Sequence, residues 1–174
     1  MPLPLSHGLL GASLVAATHP YPARHRFLPL LLGAFLANAA DFDFLLVFAF
    51  GSKAWHRGFS HSLVFASIIC LSFALLLGRN HIREAISYGL AFASHSILDY
   101  TTTKAGGGVE LLWPFSSERS GLGWVGLSEL PSKLSVLEII KSLVVEFMIF
   151  APLLVLIMGL RKYASGRGTT EGAI

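Results

Sequence analysis

FLPLLLGAFLANAADFDFLLVFAF, residues 27–50, is the run whose reading decides the fold. It is apolar over the roughly 20 residues that a helix needs to cross a bilayer, yet Asp41 and Asp43 sit in its second half. An ionisable side chain at membrane depth costs roughly 2.5 to 3.5 kcal/mol on insertion scales, so two in one run require a partner. The same conflict recurs elsewhere. His56-Arg57-Gly58-Phe59-Ser60-His61 leads into a second apolar run, and His95-Ser96-Ile97-Leu98-Asp99 closes a third. A bound cation is the simplest partner common to all of them.

Outward from residues 27–50, further apolar runs cover 9–17, 62–78, 85–98 and 136–160. Runs of this kind predict helices, because membrane strands would need polar alternation and closure into a barrel. The runs at 9–17 and 85–98 are short for a full crossing. The expected architecture is an all-α, integral membrane helical bundle of four to five hydrophobic segments, with a metal site at one membrane face. Composition agrees, since 53% of the 174 residues are hydrophobic and only 13% charged, with a mean hydropathy of +0.65. We expect a single membrane-embedded domain over residues 1–160 and a flexible, polar tail over 161–174.

Turn chemistry separates the runs at Pro20 and Pro22, at Gly51-Ser52-Lys53 and at Gly78-Arg79-Asn80. The longest connection, residues 100–135, holds Gly106-Gly107-Gly108, Trp113-Pro114-Phe115 and Trp124. A loop of that length in so small a protein is usually functional, and its aromatic residues suit interfacial anchoring. The run at 9–17 lacks the basic leader of a signal peptide and is expected to be retained. The single cysteine, Cys70, leaves no internal disulfide and no thiolate cluster, so a metal would be held by nitrogen and oxygen.

The net charge of +3 is spread over short connections and carries topology information; no direct nucleic-acid binding is expected. If five segments alternate, Arg24, Arg26, Arg79, Arg83, Arg161, Lys162 and Arg167 share one side, which the positive-inside rule makes cytoplasmic. Lys53, Arg57, Lys104, Arg119 and Lys133 share the other. His7, Asp41, Asp43, His56, His61, His95 and Asp99 then converge at the extracytoplasmic face, while His19, His25 and His81 read as ordinary surface histidines of the cytoplasmic connections.

Spacing refines the candidates. His95 and Asp99 are one turn apart on one helix face, as a shared metal or a plain hydrogen-bonded pair would need. His56 and His61 straddle Gly58, which predicts a loop running into a helix start. Asp41 and Asp43 would point about 200 degrees apart on a regular helix, so either the helix is interrupted or one aspartate binds backbone instead. Arg57 suits a phosphate, an interfacial lipid or Asp43. Glu138 and Lys141 are placed to pair, and Glu146 should face the bundle interior beside a ligating histidine.

The order His7, Asn38-Ala39-Ala40-Asp41-Phe42-Asp43, His56-Arg57-Gly58-Phe59-Ser60-His61-Ser62, His95-Ser96-Ile97-Leu98-Asp99 and Trp113-Pro114-Phe115 resembles the membrane-bound metal-dependent hydrolases of the YdjM type. One departure is Ala40, where that family usually has proline before the first aspartate. The resemblance implies metal-dependent hydrolysis at an inner, cytoplasmic membrane, and some members are described as LexA-binding. Its ligand order is similar to that of the zinc-dependent phospholipase C and P1 nuclease group, which cut phosphoesters. The seven histidine and aspartate ligands suit two divalent ions, zinc first, with manganese or iron as alternatives. Arg57 and Lys104 would neutralise charge on a phosphoryl group, and the expected substrate is a membrane lipid or lipid-linked phosphoester. Two alternatives remain, a metal-ion or proton carrier using the same cluster and a non-catalytic regulatory membrane protein.

Overall fold

A computed structural model describes residues 2–20, 27–103, 107–124 and 135–167. Each apolar run is helical, giving α1 (Pro4–Thr18), α2 (Phe27–Ala39), α3 (Phe44–Phe50), α4 (Leu63–Leu77), α5 (Ile82–Thr102) and α6 (Val136–Arg167). Among the described residues there is no strand, only an isolated bridge between Val109 and Ser120. Local chemistry sets the ends. Ser62 caps α4 by accepting from the Phe65 amide, and Gly51, at a φ of 66°, lets α3 stop in the left-handed region. Pro4 opens α1 with its pre-set φ, but Leu3 at the cap position offers no side-chain acceptor.

Contacts along the helix pairs fix their directions. Thr18 meets Ser87 while His7 meets Asp99, so α1 and α5 are antiparallel. Phe65 meets Phe92 and Phe73 meets Tyr88, so α4 and α5 are antiparallel too. Added β-carbons at Gly11 and Gly33 would collide with Ala37 and Val15 respectively, which shows how closely α1 and α2 cross. Leu3 and Ser6 meet Glu146, and Ala16 meets Arg161, so α6 runs parallel to α1. The five helical segments therefore alternate in direction. The start of α1, the end of α2, the start of α4 and the end of α5 all come to one end of the bundle.

Two helical stretches are long and apolar enough to cross a bilayer, Phe27–Phe50 and Val136–Ala164; Lys53–His61 and Leu63–Leu77, bent by 55°, make a third if taken together. This is fewer than the four to five apolar segments expected to cross. At 15 residues α1 reaches only about 22 Å, and α5 carries Arg83, Glu84, His95 and Asp99 on a largely buried helix. Both pack as interior helices, lined by Val15, Leu36, Tyr88 and Ala91 in one apolar cluster and by Ala40, Ala66 and Phe92 in another. The outer faces are strongly apolar, with Phe48 90% and Leu76 82% exposed, as lipid contact requires.

Two expectations need correction. The polar tail was expected from residue 161, but α6 continues to Arg167, in part because Arg161 donates to the Ala16 carbonyl and ties that turn to α1. His19 is not a surface histidine: it is buried, with Nε2 3.1 Å from the Tyr88 hydroxyl. His81 is exposed beside Glu84 as expected, and Glu138 and Lys141 do pair, at 2.8 Å. His25, Lys104 and residues 168–174 lie outside the described residues.

Candidate metal centre

The helix that carries Asp41 and Asp43 is broken where they occur. A 3-10 turn over Ala40–Asp43 separates α2 from α3, although Ala40 offers no proline to force the break. The physical cause lies in the donors gathered around Asp43. Its Oδ1 accepts from His56 Nδ1 at 2.9 Å, and its Oδ2 accepts from the Arg57 amide at 2.9 Å and the Ser60 hydroxyl at 2.8 Å. That amide points inward because Arg57 has a φ of 61°, the one positive value at a non-glycine residue among those described. The Arg57 carbonyl in turn accepts from the Glu110 amide at 3.1 Å, so the long loop holds the strained residue from behind.

Hydrogen bonds then fix the tautomers of two histidines. His95 Nδ1 lies 2.7 Å from the Ala37 carbonyl, which can only accept, so Nδ1 carries the proton and Nε2 a lone pair. Ser60 spends its proton on Asp43 and accepts at 3.0 Å from His61 Nδ1, so that a neutral His61 ring has its lone pair on Nε2 as well. The two Nε2 atoms face each other at 3.0 Å. Asp41 Oδ1 approaches them at 3.4 and 3.6 Å. Three electron-rich atoms cannot share that space without a positive charge among them.

A second group stands beside the first. His7 stacks on His95 with ring centroids 3.9 Å apart, and its Nε2 is 3.5 Å from Asp99 Oδ1. Asp99 Oδ2 lies 3.3 Å from Arg57 Nε and 3.9 Å from His61 Nε2. His7 and Asp99 are fully buried, yet neither ring nitrogen of His7 nor either oxygen of Asp99 makes a hydrogen bond. Leaving such groups unmet costs about 1 to 3 kcal/mol each, and a cation would meet them together.

All seven sequence candidates are thus brought together. Three overlapping sets have ligand atoms within 4.8 Å of one another: His7, His95 and Asp99; Asp41, His61 and His95; Asp41, Asp43 and His56. The first and third share no residue, although in the third Asp43 already accepts from His56, Arg57 and Ser60. Arg57 reaches Asp43 only with its backbone amide, while its side chain pairs with Asp99, a partner the sequence reading did not name. The sequence alone assigned Ser60 no role and had no means of revealing the Ala37 carbonyl. The one available signal for Ser60 was its place beside His61.

The match to known proteins follows the same residues. The sequence model of the YdjM inner membrane protein family covers residues 1–165. The chain belongs to that family. Among curated relatives it is 36% identical over 139 residues to inner membrane protein YbcI of Escherichia coli (strain K12), covering 76% of this chain and 75% of the relative. No solved structure matches it. All seven clustered histidines and aspartates fall inside the stretch shared with the YdjM family, and its inner membrane description accords with the apolar spans.

Proposed function

We propose that this YdjM-family protein is a membrane-bound metal-dependent hydrolase that cleaves a phosphoester, with its site open to the extracytoplasmic interface and a lipid-linked substrate. The observation that carries the reading is the meeting of the His61 and His95 Nε2 atoms at 3.0 Å beside the Asp41 carboxylate. His7, Asp41, His61, His95 and Asp99 are the residues that would hold divalent ions, with His56 Nε2 as a further donor. Two such ions acidify water and draw charge from phosphoryl oxygens, which supplies the hydrolytic chemistry.

The protein's own part is electrostatic and orienting. Asp41, Asp43 and Asp99 against Arg57 give the buried cluster a formal charge of −2 with neutral histidines. One divalent ion would neutralise it, and a second would make it an anion receptor. Arg57, at the edge of Asp99, would then grip a phosphoryl oxygen. Asp43 orients His56 by a direct hydrogen bond and His61 through the Ser60 hydroxyl, as carboxylates behind metal-bound histidines do. Zinc suits this histidine and carboxylate set best, with manganese or iron as alternatives.

Orientation rests on charge. Arg79, Arg83, Arg161 and Lys162 belong to the end of the bundle away from the cluster, where the positive-inside rule favours the cytoplasm. The carrier alternative needs polar groups continuing through the bundle. The serines along the seam of α1 and α5 do not provide a path, since Ser13 donates to the Leu9 carbonyl and Ser94 to the Ala91 carbonyl, beside an apolar layer of Val15, Leu36 and Ala91. The direct test is turnover of bis(p-nitrophenyl) phosphate and of a lipid phosphoester by detergent-purified protein. Activity should vanish with a chelator, return with zinc or manganese, and be absent from His95→Ala; a metal-loaded protein inert toward phosphoesters would overturn the hydrolase reading.

A further inference from the structure

Glu146 is fully buried in the middle of α6, one of the two stretches apolar enough to cross a membrane. Its carboxylate accepts from the Leu3 amide at 2.6 Å and the Ser6 amide at 3.3 Å. These amides belong to the start of α1, whose own cap residue supplies no side-chain acceptor and whose first turn contains no acidic side chain; the Ser6 amide is shared with the Leu3 carbonyl at 3.1 Å. A neighbouring helix therefore provides what the sequence of α1 lacks, an acceptor and a negative charge at the positive end of its dipole. His7 follows Ser6 directly, and its ring is the only contribution of α1 to the cluster.

The other end of α1 is held in the complementary way. Arg161 of α6 donates to the Ala16 carbonyl at 2.7 Å, placing a cation at the negative end of the same dipole. Glu146 and Arg161 stand about 22 Å apart along α6 at 1.5 Å per residue, which is the length of α1. The pairing works only between parallel helices of this registration. Apolar contacts also hold α6 near α1, with Leu9 and Leu10 packed against the cluster of Leu98 and Phe150.

We propose that Glu146 is the positioning residue of the His7 ligand: by fixing the first turn of α1 it sets the height and rotation at which the His7 ring meets His95 and Asp99. The inference rests on the metal-centre reading and adds to it a residue that touches neither metal nor substrate. Arg161 serves as its internal control, because it latches the same helix pair far from the cluster.

Zinc is the probe. Binding is measured by calorimetry and by metal analysis on detergent-purified wild type, Glu146→Ala, Glu146→Gln, Arg161→Ala, His7→Ala and the double variant His7→Ala with Glu146→Ala. Glu146→Ala should weaken zinc binding by roughly ten- to a hundredfold, the range seen when outer partners of ligands are lost. Glu146→Gln, which keeps an acceptor oxygen, should restore part of it, and Arg161→Ala should lower thermal stability without changing zinc affinity. In the His7→Ala background the Glu146→Ala change should have no further effect. An equal loss in both backgrounds, an equal loss from Arg161→Ala, or no loss from Glu146→Ala in a zinc-binding protein would overturn the inference. A wild type that takes up no zinc would remove the metal centre itself, and this inference with it.

Discussion

At the scale of single residues, Asp41 and Asp43 are two positions apart and have different surroundings. Both oxygens of Asp43 are occupied by donors, whereas Asp41 Oδ1 is buried without a hydrogen bond and faces the Nε2 atoms of His61 and His95. Asp41→Asn should therefore lower the number of ions bound at saturation, measured by metal analysis. Asp43→Asn should leave that number unchanged and weaken affinity about tenfold or more, by loosening His56 and His61. Asp43→Ala should also destabilise the fold by roughly 3 kcal/mol, because it strands several buried donors at once. Arg57 divides the same way between backbone and side chain. Arg57→Gly suits a φ of 61° but strips the buried Asp99 carboxylate of its cationic partner, so it should destabilise the metal-free fold by roughly 3 kcal/mol in thermal unfolding. Its phosphoester turnover should fall about a hundredfold, since a donor to developing charge is lost.

At the scale of elements, what the sequence made legible depended on distance along the chain. The break at residues 40–43 could be anticipated from two aspartates that a regular helix cannot aim at one target, and it forms without the family's proline. The turn of helix between His95 and Asp99 was equally local. The tautomer of His95 depends on Ala37, and the first turn of α1 on Glu146, contacts that no spacing rule connects. His19 was misjudged for the same reason, since contacts from distant segments, Tyr88 of α5 among them, surround it. Helix contacts also give a prediction of their own. Gly11→Val should push α1 from α2, where a mere β-carbon already meets Ala37 and the Gly33 carbonyl, and should cost more than the roughly 1 to 3 kcal/mol typical of overpacking, read as lost thermal stability in detergent.

For the whole molecule, the membrane environment followed from composition, but the number of crossing helices did not. Hydropathy cannot distinguish a run that faces lipid from one, such as α5, that is apolar because it lies inside a bundle. Alternating helix directions nevertheless put the cluster at one end and most exposed basic residues at the other. In a Cys70→Ala background, Ser120→Cys should react with a membrane-impermeant maleimide from the extracytoplasmic side and Asn80→Cys only after the membrane is opened. Both positions are exposed, so the reverse pattern would invert the proposed orientation. Zinc at a hundredfold excess over its Kd should stabilise the fold by about 2.7 kcal/mol, lost on chelation, because the ion binds only the assembled cluster.

The Glu146 contact joins the beginning of the chain to its final helix, and this has a consequence for biogenesis. His7 leaves the ribosome first among the cluster's donors, yet the group that steadies its helix is synthesised some 140 residues later. A nascent protein halted before α6 would own every histidine and aspartate of the site and still present a slack one. On the metal-centre reading, tight uptake of a cation would have to wait until α6 has been made.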